Sequence, residues 1–331
     1  RDLVRSRGLG DVYKRQASVQ ETLLKVFAEH NETFRKRVGI DREATTYKKY
    51  CNAYRHLSEF LQKRYNVRDM SFKQLTFSFI ETYDFHLRVE LKMKPNTVLR
   101  NILPLRKMVR FAVNKGYIPA DPFASYKPIR GRSEHRFLTM EELKKIMSTD
   151  FHSHFRNLTR DMFVFASFTG MAYADIKKLT VKELITTDNG NRWIVTARKK
   201  TGTVSRIRLL DVPVQIIEKY EKERIGEKVF PMPGYTTVDI NLKRIAEICG
   251  IEKNVTFHQG RHFFASQVCL SQGVPIETVS RMLGHRDIHT TQIYATVSNE
   301  KINSDMKRLS QRIADKFSFA KQQPTETAIN Q

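Results

Sequence analysis

Near its carboxyl end the chain reads His258-Gln259-Gly260-Arg261, then a helical interval, then Leu283-Gly284-His285 and Thr290-Thr291-Gln292-Ile293-Tyr294. Two histidines, an arginine and a tyrosine thus recur at short intervals, on elements that can fold back on one another. Arginine and histidine stabilise a phosphate that gains negative charge in a transition state, because they place donors and positive charge on its oxygens. A tyrosine hydroxyl is a nucleophile for such a phosphate. The polar residues Thr290, Thr291 and Gln292 predict an exposed, mobile segment around Tyr294. Arg261 follows His258 by three residues near a helix start, so both lie on one face. Its planar fork can hold two non-bridging oxygens at once. His258 can hydrogen-bond the phosphate or take the tyrosine proton. His285, in the turn after residues 279–283, can donate to a phosphate oxygen. His262, adjacent to Arg261, is expected to face elsewhere and to be structural.

The rest of the composition agrees with a phosphate-rich partner. Lys and Arg number 58 against 35 Asp and Glu, a formal charge of +23 over 331 residues. Such an excess favours polyanions, since neutralising phosphates releases counterions and drives sequence-independent affinity. No run approaches the roughly 18 apolar residues of a spanning helix, which argues against a membrane partner. The three cysteines Cys51, Cys249 and Cys269 have neither disulfide nor zinc-ligand spacing, and fit a reducing cytosol. No carboxylate cluster, HExxH or glycine-rich phosphate loop is present, so neither metal nor cofactor is expected.

The length suits two domains. Residues 1–16 are basic and weakly periodic, and look like a non-native leader. Residues 17–127 carry helical periodicity throughout. Ser18 with Glu21 forms a capping box ahead of Leu23, Leu24, Phe27 and Phe34. A second helix aligns Tyr47, Tyr50, Cys51, Tyr54, Leu57 and Leu61. Ser71 with Gln74 opens a third, and Asn96 or Thr97 caps a fourth, which Pro104 should kink and Gly116 end. Four such amphipathic helices predict a small bundle. Residues 128–137 form a basic linker with Arg130, Gly131 and Arg132, suited to tracking phosphates. The second domain, 138–319, starts with a Thr139–Glu142 capping box and an apolar helix ending at Thr169-Gly170. Strands follow near residues 184–187, 193–198 and 205–210, the last two flanking a Lys199-Lys200-Thr201-Gly202 hairpin loop. The tail 320–331 is polar.

The order HxxR, LGH, TTxxY, behind a hairpin lysine and an all-helical basic domain, resembles the tyrosine recombinase (phage-type integrase) family. The run Phe168-Thr169-Gly170-Met171-Ala172-Tyr173-Ala174-Asp175 is most similar to integrases of mobile elements in Bacteroidetes-type bacteria. The resemblance implies a mostly α fold: a SAM-like four-helix core-binding bundle, then a helical catalytic domain with a small three-stranded antiparallel sheet, the two clamping duplex DNA. It implies a site-specific recombinase that makes a 3′-phosphotyrosine link through Tyr294 and needs neither metal nor ATP. His258, Arg261 and His285 then serve the phosphate. Lys200, at the hairpin tip, protonates the leaving 5′-oxygen, with Lys199 as the neighbouring competitor. Partners implied are double-stranded recombination sites, a homotetramer on DNA and an accessory DNA-bending protein, in the bacterial cytoplasm at the nucleoid.

One position departs from the pattern. Within TGxRxxE the family places an arginine where this chain has Ala172, with Asp175 at the acidic position. Arg160, just ahead of the apolar helix, and Arg198, on the strand entering the Lys200 hairpin, are the candidate replacements. The last helix, with Ile302, Met306, Leu309, Ile313 and Phe317 at helical spacing, is expected to dock on a neighbouring protomer. Rival readings are a type IB topoisomerase, a resolvase or invertase of the same family, and a non-catalytic DNA-binding regulator.

Overall fold

The computed structural model describes residues 21–131, 138–295 and 299–313. The leader, the Ser18 cap, residues 132–137 of the linker, Phe317 and the polar tail lie outside these residues. The chain divides into two compact units between Glu134 and His135.

The first unit is helical: α1 (Leu23–Lys36), α2 (Ala44–Tyr65), α3 (Phe77–Phe85) continued by a π-helical turn (His86–Glu90), and α4 (Pro95–Asn114). Their apolar faces close on a core of Phe27, Leu57, Phe60, Leu61, Ile80, Tyr83, Val98, Ile102 and Val109. Each such side chain contributes about 1.5–3 kcal/mol on burial.

The caps differ from those expected at three of the helix starts. Helix α1 begins at Leu23, and the Asp69 carboxylate caps it by accepting from the amides of Leu24 (2.8 Å) and Lys25 (3.1 Å). An acceptor from a distant segment does the work of a local N-cap. The Ser71–Gln74 box closes only a 3-10 turn (Phe72–Gln74), and Thr76 starts α3 by accepting from the Phe79 amide at 3.3 Å. Helix α4 starts at Pro95, before Asn96, because proline at the first helical position has no amide to leave unpaired. It runs through Pro104 and is followed by Gly116 in a left-handed conformation.

The second unit contains α5 (Met140–Ser148), α6 (His154–Thr169), α7 (Tyr173–Lys178), then β1 (Leu184–Thr186), β2 (Arg192–Ala197) and β3 (Val204–Arg208). It continues with α8 (Asp211–Lys219), α9 (Tyr235–Ile248), α10 (Phe257–Phe263), α11 (Ile276–Met282), α12 (His289–Gln292) and α13 (Asn299–Ile313). The Thr139–Glu142 capping box starts α5 as expected. The sheet is antiparallel in the order β1-β2-β3, with Ala197 opposite Val204 across the hairpin. Helix α6 is the axis of this unit, packed by α5, α8, α9 and α10. Among the described residues no helix is long and apolar enough to cross a membrane.

Two glycines allow the close approach that builds the site. Gly260 brings α10 onto α6, where an added Cβ would lie 3.1 Å from the Phe163 carbonyl oxygen and 3.2 Å from Ala166. Gly170 ends α6 at φ +69°, where an added Cβ would strike Phe264 at 2.4 Å and Leu283 at 2.6 Å. No other residue combines that backbone with that space.

Candidate active site

Arg261 is the centre of the constellation. A capping box of Thr256 and Gln259 starts α10 and orients its first turn. The Arg261 side chain then runs inward, and the residue is only 2% exposed. One terminal nitrogen donates to the Gly170 carbonyl at 2.6 Å, and the other to the Leu283 carbonyl at 2.6 Å. The second also lies 2.9 Å from His285 Nε2. Its charge also reaches the Tyr294 phenol, where it opposes the larger effect of burial on that group's pKa. A single cation therefore joins the end of α6 to the Leu283-Gly284-His285 turn.

Tyr294 differs from expectation. Its neighbours Gln292 and Ile293 are exposed, but the residue itself is only 4% exposed. His285 stacks along its ring (centroids 6.4 Å, 14° between planes), and His262 meets it edge-on at 4.9 Å. Burial raises the phenol's pKa, while Arg261 and Arg198 oppose that shift. His262 also contacts the His258 ring at 4.7 Å, so it belongs to the site rather than facing away from it. The available signal was spacing: residues 258 and 262 are four apart and share a helix face.

The β2–β3 hairpin is fastened to the same turn. The Thr201 hydroxyl donates to the Gly284 carbonyl at 3.3 Å, the Ser205 hydroxyl to the Met282 carbonyl, and the Arg286 guanidinium to the Thr201 carbonyl. Lys200 is exposed at the tip, close enough for its charge to reach His258 and His285. Asp175, buried at the start of α7, accepts from the Lys199 amide at 2.8 Å and lies 3.8 Å from Arg198 Nε. The acidic residue thus anchors Arg198 and the hairpin entry. Arg198 and Arg261 line one small cavity together with Gly170 and Asp175.

Of the two candidate replacements for the arginine missing at Ala172, the structure brings Arg198 to the cluster and leaves Arg160 out. Arg160 lies within α6 rather than before it, roughly 15 Å along the axis from Gly170. Its guanidinium donates to Asp161 at 2.8 Å and to the Thr149 carbonyl at 2.6 Å, and it lies over the Phe151 ring.

The electrostatics suit an anion. Burial first, then Arg261, Arg198, His258 and Lys200, push the His285 pKa down to about 4. Close packing, then Arg261, Arg198 and Lys200, lower that of His258, although this residue stays exposed. Arg261 itself is lowered to about 10 by burial and then by Arg198. Desolvation is the larger cause of each shift, and neighbouring cations deepen all three. The Nε atoms of Arg198 and Arg261 are buried donors with no hydrogen-bond acceptor among the described residues. A phosphate supplies both the charge and the acceptors this cluster lacks.

Comparison with known proteins agrees with this geometry. Residues 136–301 match the model described as the phage integrase family, and residues 22–128 that of the phage integrase SAM-like domain. The chain belongs to the phage integrase family and is a tyrosine site-specific recombinase. It is 27% identical over 242 residues to the tyrosine recombinase XerD of Listeria innocua, covering 66% of this chain and 77% of that one. It is 22% identical to the tyrosine recombinase XerC of Oceanobacillus iheyensis, over 82% and 92% of the two chains. The fold is similar to that of the Tn1549 transposon integrase solved with transposon right end DNA (TM-score 0.67, 16% identity, 88% of this chain and 100% of that one). It is equally similar to a lambda integrase tetramer bound to a Holliday junction (TM-score 0.67, 15% identity, 88% and 82%).

Proposed function

We propose that the chain breaks and rejoins duplex DNA at specific sites through Tyr294, moving a mobile element into or out of a bacterial chromosome. The observation that carries this is the buried Arg261 guanidinium against His285, whose ring stacks on that of Tyr294, with His258, Arg198 and Lys200 adding their charge to the same cluster. A scissile phosphate that accepts from Arg261 and Arg198 lies beside the phenol oxygen. That oxygen forms a bond to phosphorus as the bond to the 5′-oxygen breaks. The phenol proton passes to His258 or water, and Lys200 gives one to the leaving oxygen. One phosphodiester replaces another, so religation by a new 5′-hydroxyl requires no ATP.

The test is covalent capture. The chain is mixed, in EDTA, with a pool of nicked duplexes of randomised core sequence, and denaturation-resistant complexes are sequenced and digested. The expected result is a nucleotide joined by its 3′-phosphate to the peptide containing Tyr294. Binding without a covalent adduct leaves the reading as a non-catalytic DNA-binding regulator. A second reading, resolution of chromosome dimers, rests on similarity to the XerC and XerD relatives. The recovered sequence separates the two: an element's ends or a single chromosomal site.

Assembly on DNA follows from the same reading, as dimers and tetramers of the solved integrases do on theirs. Helix α13 supports it, because Ile302, Met306, Leu309 and Ile313 leave 38–56% of their surface exposed along one apolar stripe. A neighbouring protomer is the occupant we assign to that stripe, making a homotetramer on two sites. Ile302→Glu with Met306→Glu is expected to leave the chain monomeric on the recovered duplex by light scattering. Unchanged assembly would remove this role for α13.

A further inference from the structure

The hydrogen bonds of His285 fix its proton, and the fixed position conflicts with its role. A guanidinium has donors only, so His285 Nε2, 2.9 Å from the Arg261 terminal nitrogen, must offer a lone pair. The ring is therefore neutral with its proton on Nδ1, which donates to the Thr291 hydroxyl at 2.7 Å. A ring that donates to a phosphate oxygen through Nε2 needs its proton on the other nitrogen. Protonating both nitrogens is opposed by burial first, then by Arg261 on α10, Arg198 just after β2, His258 and Lys200 on the hairpin.

We propose that Thr291 is a positioning residue whose hydroxyl lets neutral His285 exchange one tautomer for the other. A hydroxyl both accepts and donates. When Nε2 faces Arg261, the oxygen accepts from Nδ1–H; when Nε2–H faces a phosphate, the hydroxyl turns and donates to bare Nδ1. Water removes the proton from Nδ1 and returns one to Nε2, so the exchange takes up no net proton. Thr291 is fully buried in α12, three residues before the nucleophile, and its carbonyl accepts from the Tyr294 amide at 3.0 Å. The same residue therefore sets the imidazole and the tyrosine backbone in register. No motif weighting singles out this threonine, since Thr290 beside it is chemically identical and exposed.

This inference rests on the reading that His285 donates to the scissile phosphate, and the experiment separates the two. Nitrogen NMR of the full chain labelled in histidine reads the tautomer directly. The expected spectra show Nδ1–H in the chain alone and neutral Nε2–H with saturating inorganic phosphate or the recovered nicked duplex. Cleavage of that duplex should fall at least tenfold in Thr291→Val, a variant of equal shape whose melting temperature stays near that of the parent. Thr291→Ser, which loses a methyl group but keeps the hydroxyl, should recover most of the rate. A doubly protonated ring in the bound form, or a valine variant cleaving at the parental rate while His285→Ala is impaired, overturns the tautomer role alone. Parental cleavage by His285→Ala removes the role of His285 and this inference with it.

Discussion

Arg261→Ala is expected to lower covalent capture of DNA by at least a thousandfold and to destabilise the second unit as well. Losing one transition-state donor typically costs about a hundred- to a thousandfold in rate, and here the lost group also faces His285, which stacks on Tyr294. The structural loss arises from the two carbonyls it satisfies. Gly170 and Leu283 would keep buried oxygens without their present donor, at about 1–3 kcal/mol each. Relief of repulsion with Arg198 offsets part of this. A fall in melting temperature of about 5 °C or more follows. Arg261→Lys keeps the charge, but a point cation cannot match the fork, so capture should remain at least a hundredfold down while much of the stability returns. Capture by Arg261→Ala within tenfold of the parent would show that another group holds the phosphate.

Arg198→Ala and Arg160→Ala make a paired test of which arginine stands in for Ala172. Arg198 shares a cavity with Arg261, keeps a buried unspent donor and loses little on removal, because Asp175 retains the Lys199 amide. Its alanine variant should lose about a hundredfold or more in cleavage with a small change in melting temperature. Arg160 supports a different network, in which Asp161 also accepts from Lys219 at 2.6 Å and Tyr220 at 2.8 Å. Its alanine variant should be less stable yet cleave within about threefold of the parent at a temperature where it is folded. The opposite pattern, with Arg160 essential and Arg198 dispensable, would overturn the assignment.

What was legible in the chain follows from the range of the interactions involved. Helix periodicity, the Thr139–Glu142 box and the Lys199–Gly202 hairpin depend on residues a few positions apart, and they appear at the expected places. The spacing from His258 to Tyr294 likewise identifies residues that meet in the fold. Contacts between distant segments were not legible. Asp69 caps a helix 45 residues away, and Arg160 is claimed by Thr149 and Asp161 rather than by the site. Tyr294 looked exposed because its neighbours are polar, yet a single aromatic side chain can turn inward from a surface turn when imidazoles and a guanidinium receive it. The motif marks Arg261 as a phosphate clamp, whereas its second duty as a structural cation depends on the distant Gly170 and Leu283 carbonyls.

That dual duty of Arg261 constrains how copies of this gene can decay. An inactive descendant kept as a passive occupant of its site must still fold. It can shed the phenol hydroxyl or the exposed hairpin lysine at little structural expense, but the guanidinium joining α6 to the turn ahead of the nucleophile must stay. Degenerate paralogues should therefore retain the arginine long after the nucleophile has gone, and its presence alone is a poor marker of a working enzyme.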